Sequence, residues 1–285
     1  MRVSSLLAVL LLVFAVPVSA QERLKVVATF SILGDLVAQV GGDKIDLTVL
    51  VGPDTDAHTY QPKPNDLRVL AGAQVLVSNG LGFEGWIDRL ADAASFKGTR
   101  IVVSTAAATG PDPHCWQDVA CTRRYVANIA TGLAAADPAN AASYREHAQA
   151  YDARLAALEA WIRGEIATVP EDRRKAITGH NSFHYFSRSY GVTFEAPRGY
   201  STESEPSARD MAQLIRQVRA EKIKALFIEN MTNPVLIDEI ARDAGAIVGP
   251  RLYSDALSKP GGPAPTYEAM MRYNVAALVA GMSKN

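Results

Sequence analysis

Five histidines, His58, His114, His147, His180 and His184, hold most of the side-chain chemistry in this chain. Four of them lie in loops or at loop edges. His58 sits in Gly52-Pro53-Asp54-Thr55-Asp56-Ala57-His58-Thr59-Tyr60-Gln61-Pro62, after a strand-like run. His114 sits in Asp112-Pro113-His114-Cys115-Trp116, before a helical pattern, and His180 in Thr178-Gly179-His180-Asn181, between a strand and a helix. Imidazole is the commonest metal ligand, and three of them with one carboxylate complete a tetrahedral set. Taken singly, each histidine reads more readily as a surface or hydrogen-bonded side chain, so spacing alone does not establish a site. His147, in Arg145-Glu146-His147-Ala148 on a long helix, reads as solvated. Asp56, Asp112 and Asp118 are placed to orient imidazoles, since a metal-bound histidine usually donates its other N–H to an acceptor. Glu229, at the end of an apolar run, could also face a cleft.

Two cysteines, Cys115 and Cys121, lie six residues apart. The preferred reading is one local disulfide, with two buried thiols or a Cys115 thiolate on a metal as alternatives. Gly80-Leu81-Gly82-Phe83-Glu84-Gly85 satisfies the letter of the dinucleotide fingerprint. The acidic residue expected after the next strand is missing, because Ile101-Val102-Val103 runs into Ser104-Thr105-Ala106, so these glycines read as a tight turn. Neither His-Glu-x-x-His nor Gly-x-Ser-x-Gly occurs, which removes the usual signatures of zinc and serine hydrolases.

The elements that must position these residues alternate in type. Short β-branched runs at 25–30, 47–51, 74–78 and 100–103 are separated by helical patterns at 33–40 and near Leu70 and Ile87. Helices are expected at 121–135 and 141–167, the second ended by Pro170. Strands at 175–178, 192–196, 225–229 and 247–248 then alternate with helices at 182–190, 208–220 and 234–244, and a last helix covers 267–282. This is an α/β pattern: two lobes, each a parallel sheet flanked by helices, joined by one long rigid linking helix. The expected division is a first lobe at 21–140, a linking helix at 141–169 and a second lobe at 170–285. Strand-end loops from both lobes then point into one cleft.

Residues 1–20 read as a signal peptide. Arg2 precedes an apolar stretch from Leu6 to Val18, about a dozen residues and short for a bilayer span, and small residues lead to a cleavage site after Ala20. The expectation is a periplasmic protein; no cysteine stands at the cleavage site, so no lipid anchor is expected. With 29 basic and 30 acidic residues the formal net charge is -1, which gives no electrostatic case for nucleic acid.

The His58 segment, together with Asn79-Gly80-Leu81-Gly82-Phe83-Glu84, resembles the zinc/manganese solute-binding proteins of ABC importers. Asp112-Pro113-His114-Cys115-Trp116, Asp137-Pro138-Ala139-Asn140 with Tyr144 and Tyr151, Ser187-Arg188-Ser189-Tyr190-Gly191-Val192 and Glu203-Ser204-Glu205-Pro206-Ser207 are similar to later segments of that family, in order. The resemblance spans the mature chain. It implies four metal ligands, His58 and His114 from the first lobe and His180 and Asp255 from the second, with Asp255 in Arg251-Leu252-Tyr253-Ser254-Asp255-Ala256-Leu257-Ser258. It also implies a binding protein rather than an enzyme and a membrane permease as partner; a monomer is expected, and a periplasmic metallochaperone is a further partner to consider. Histidine at position 180 favours Zn2+ over Mn2+, because manganese prefers oxygen-rich surroundings. His184 then reads as a supporting or surface residue. The chain departs from many zinc-type relatives in lacking a His- and Asp-rich loop, and it carries the Cys115/Cys121 pair beside His114. The rival readings are a manganese-specific member, an exported zinc hydrolase, and a binding protein for a larger chelate.

Overall fold

The computed structural model describes residues 22–285, so the signal-peptide assignment at 1–20 lies outside the described residues. The first sheet is β1 (Leu24–Phe30), β2 (Ile45–Val51), β3 (Val75–Ser78) and β4 (Thr99–Val102), all parallel, in the order β2-β1-β3-β4. Val26 pairs with Leu47 on one side and Val75 on the other, and Val77 pairs with Ile101. β1 is apolar at almost every position because helices cover both faces of a parallel sheet, and every residue of it except Lys25 is buried. The second sheet repeats the plan with β5 (Lys175–Ile177), β6 (Thr193–Glu195), β7 (Ala225–Leu226) and β8 (Ile247–Val248), in the order β6-β5-β7-β8. In both sheets the order reverses beside the first strand, which opens a crevice at the carboxyl ends of the strands.

The helices are α1 (Ser31–Gly41), α2 (Pro64–Ala71), α3 (Ile87–Ala93), α4 (Val119–Ala136), α5 (Ala141–Ala167), α6 (His184–Tyr190), α7 (Ala208–Ala220), α8 (Val235–Ala244) and α9 (Tyr267–Met282). α5 has 27 residues, about 40 Å at the helical rise. Tyr144, Ala148, Tyr151, Leu155, Leu158, Ile162 and Ile166 recur every three or four residues and form its buried stripe. That stripe packs on α1, α4 and α9. α9 therefore returns from the second sheet to the first lobe, where Asp35 of α1 accepts from the Tyr267 N–H at 2.8 Å. One apolar core consequently runs through both lobes, from Phe30 and Leu36 through Leu158 to Phe186 and Leu278. A smaller core of Ile177, Leu214, Leu226 and Ile240 lies under α7 and α8.

Several element ends differ from the sequence expectation for local reasons. α4 starts at Val119 rather than 121, because Asp118 accepts from the Ala120 N–H and caps it. α1 starts at Ser31, directly after the extended Phe30. α6 starts at His184 rather than 182, because Asn181 bonds the Gly199 carbonyl and Ser182 turns back on His180. β7 keeps ladder geometry only over Ala225–Leu226, and Glu229 pairs instead with Leu252 in an isolated bridge. No helix among the described residues is long and apolar enough to cross a membrane.

Candidate metal centre

Each of the four segments that converge at the crevice is set by its own local hydrogen bonds. In the His58 loop, Asp54 takes a left-handed backbone (φ 53°), and the Asp56 carboxylate accepts from the His58 N–H at 2.8 Å. Trp86 Nε1 donates to the Ala57 carbonyl at 2.8 Å and fixes the loop from below. At His114 a single oxygen, Asp112 Oδ1, lies 3.0 Å from the backbone N and 2.8 Å from Nδ1. At His180 the Glu229 carboxylate does more. Its Oε1 accepts from the Gly179 and His180 amides at 2.7 and 2.9 Å, while Oε2 lies 2.6 Å from His180 Nδ1. A Cβ at position 179 would meet Glu229 Oε1 at 3.0 Å, so glycine lets this carboxylate approach. The Asp255 segment is held from the first lobe, where Trp116 Nε1 and Gln117 Nε2 both donate to the Ser254 carbonyl at 2.8 Å. The Ser254 hydroxyl donates to Glu229 Oε2 at 2.6 Å.

With their Nδ1 atoms turned outward, His114 and His180 direct Nε2 inward, and His58 does the same. Nε2 of His58 and His114 are 3.3 Å apart, and those of His114 and His180 are 3.4 Å apart. Asp255 Oδ2 lies 3.4 Å from His58 Nε2 and 3.1 Å from His180 Nε2, and Oδ1 lies 3.7 Å from His114 Nε2. The donor atoms of all four residues fall within 4.8 Å of one another. Four tetrahedral donors at about 2.0–2.1 Å from a small ion stand roughly 3.3–3.4 Å apart, close to these spacings. His114, His180 and Asp255 are wholly buried, and His58 is 6% exposed. Neither Asp255 oxygen receives a hydrogen bond from the protein. A buried carboxylate without donors is costly and calls for a cation.

The electrostatics of the cluster are strongly coupled. Burial pushes the Asp255 carboxyl up, yet the imidazoles of His180 and His114 outweigh it and hold the group well below its ordinary 3.8. Burial pushes His114 below 6.5, with Asp255 opposing. Burial acts the same way on His180, but Glu229 and Asp255 overcome it and raise that ring well above 6.5. Glu229 is itself pushed up by burial and brought below 4.5 by His180.

The structure brings together all four residues singled out as ligands and sorts the others. Asp112 and Glu229 stand behind imidazoles. Asp56 and Asp118 do not: Asp56 accepts from a backbone amide and Asp118 caps α4, so the expectation that they orient rings is corrected. His147 is not simply solvated either, since its Nδ1 lies 3.0 Å from the Val40 carbonyl. His184 is exposed on α6 and outside the cluster. Cys115 and Cys121 are buried with Cα atoms 5.8 Å apart and their sulfurs facing each other, so Cys115 is turned away from the converging donors.

The glycine turn has a different use from the one its letters suggest. Gly80, Leu81 and Gly82 are all left-handed, and Glu84 accepts from the Asn79 and Gly80 amides at 2.7 and 3.2 Å. Two amides of the turn are thereby already taken by the chain's own carboxylate. The turn instead delivers Phe83, whose ring lies edge-on to His58 with centroids 4.6 Å apart. Sequence reasoning missed Phe83 and Ser254; only the glycines beside Phe83 hinted that its backbone is special.

Comparison with known proteins gives a consistent picture. The sequence profile of the family described as zinc-uptake complex component A, periplasmic, matches residues 26–281. A manganese-binding lipoprotein of Halalkalibacterium halodurans is 31% identical over 269 residues, covering 92% of this chain and 90% of the relative. An iron ABC transporter substrate-binding lipoprotein of Streptococcus pyogenes is 30% identical over 279 residues, again covering 92% and 90%. The solved periplasmic zinc-binding protein TroA of Treponema pallidum superposes with a TM-score of 0.87 at 28% identity, covering 92% of this chain and 100% of that one. The word lipoprotein in two of these names runs against the expectation of a chain without a lipid anchor; the likeness supports export and says nothing for an unanchored form.

Proposed function

Because this chain belongs to the periplasmic zinc-uptake component A family, exported substrate-binding proteins of metal ABC importers and not enzymes, we propose that it captures one zinc ion between its lobes. His58, His114, His180 and Asp255 are the ligands on this reading, in a periplasmic protein that hands its cargo to a membrane permease. Residues 21–140 and 170–285 are the two metal-binding lobes, and 141–169 the link between them. The observation that carries the reading is the buried cage of three Nε2 atoms around an Asp255 carboxylate that has no protein donor of its own.

The relatives' names divide among manganese, iron and zinc, so the choice of metal rests on the donors. Three neutral nitrogens and one carboxylate suit zinc, whereas manganese prefers more oxygens and a larger coordination number. The Cys115–Cys121 disulfide belongs to the same proposal: it ties the turn that follows His114 to the first turn of α4. Metal content by mass spectrometry, after reloading in a zinc/manganese competition, tests the whole reading. Near-stoichiometric zinc, lost in His180→Ala, is the expected result. Retained manganese would sink the zinc assignment, and the absence of any bound metal would sink the ligand set.

A further inference from the structure

Of the four converging residues, His58 is the odd one. His114 and His180 each have a carboxylate behind Nδ1, at 2.8 and 2.6 Å, while His58 has an aromatic edge beside it and no such partner. It alone retains exposure. The way to solvent therefore lies on its side of the cage, and whatever holds the His58 loop against the second lobe governs that way.

One part of that hold is built from residues 196–207, the irregular segment between β6 and α7. At its start, Arg198 bridges His180 and Gly199 accepts from the Asn181 N–H at 3.0 Å, so the segment is rooted beside one histidine. The Arg198 guanidinium then donates to the Ser204 carbonyl at 3.1 Å and to Glu205 at 2.6 Å, which folds the segment back on itself. At its tip the Thr202 hydroxyl crosses to the first lobe and donates to Asp56 Oδ2 at 2.6 Å. The other oxygen of Asp56 holds the His58 amide. The strap is thus tied to the loops of two histidines in different lobes.

We infer that Thr202 is a positioning residue, a latch across the lobes that must release before an ion passes His58. The inference rests on the metal-binding reading above. Thr202 touches no donor atom, so its bond counts alike with and without cargo; losing it should speed uptake and release together and leave the equilibrium nearly untouched. Stopped-flow zinc exchange against a fluorescent chelator, on the full mature protein, tests this with Thr202→Val, which keeps the shape and removes the hydroxyl. Both rate constants should rise by about three- to tenfold, the size expected for one ordinary part-buried side-chain hydrogen bond, with Kd changed less than about twofold. Thr202→Ser should restore the wild-type rates. Unchanged rates in Thr202→Val overturn the latch, and so does faster release at an unchanged uptake rate, which would mean that Thr202 only stabilises the loaded form. A wild-type protein that takes up no zinc removes the site itself, a failure visible without any variant.

Discussion

At the scale of single residues the cluster contains an acid–base asymmetry with a measurable consequence. Burial holds His114 below 6.5 and favours its neutral form, whereas the Glu229 and Asp255 carboxylates raise His180 well above 6.5 and favour its protonated form. An ion that binds His180 Nε2 must displace that proton. Binding should therefore release close to one proton per ion near pH 7, and affinity should rise by about tenfold per pH unit until the raised His180 value is passed. Calorimetry in two buffers of different ionisation enthalpy measures the proton count; a count of zero contradicts the assignment. The apo protein shows the opposite sign. The pairing of His180 with its carboxylates stabilises it fully below 6.5, and that contribution is lost as pH rises through the raised value. Glu229→Gln keeps the shape behind His180 but removes the charge, and should weaken zinc binding by roughly 10–100-fold in a chelator competition. The four residues that converge were legible from their motifs, one by one. Glu229 was harder to place, because it is 49 residues from His180 in sequence and meets it only when β5 and β7 lie side by side. Phe83 was invisible for a similar reason: an aromatic after a glycine turn looks like any core residue until His58 is packed on it.

At the scale of elements the long connection between the lobes behaves as part of the core. Leu155, Leu158 and Ile162 of α5 are wholly buried between α1, α4 and α9. Leu158→Ala should cost about 2–5 kcal/mol in denaturant unfolding. Its zinc affinity under native conditions should stay near wild type, since α5 contributes no donor. The sequence periodicity located α5 well because a stripe of seven buried positions is a strong signal. One strand of the second sheet, β7, and the residues after it were read as a single long strand, 225–229 against an observed ladder of two residues. Their apolar character reflects burial beside the site, and burial outside a ladder has the same composition as burial inside one. The Cys115–Cys121 pair belongs at this scale too. Replacing both with serine should lower thermal stability and loosen the turn after His114, seen as a weaker zinc affinity; no change in either measurement would remove the bridge from the account.

At the scale of the whole molecule, the lobes share one core and are stitched together at their loops. Tyr185 OH donates to the Thr109 carbonyl, Tyr190 OH accepts from the Val119 amide, and the Asp54 amide donates to the Leu257 carbonyl. A wide hinge opening would break all of these along with the apolar contact beneath them. Loading and removal of zinc should therefore leave the radius of gyration in solution scattering almost unchanged, with exchange differences confined to the 52–62 and 196–207 loops. A large expansion on chelation would contradict this. Zinc at about a hundred times its Kd should nevertheless add roughly 2.7 kcal/mol to unfolding stability, through linkage alone.

The docking of α9 on α1 also bears on biogenesis. Asp35 and Tyr267 are 232 residues apart, so the core of the first lobe is finished only when the segment around Tyr267 has been made. Contacts of such long range slow folding. For an exported protein that delay has a use: until α9 is synthesised, the nascent chain lacks the surface that completes and closes its first core.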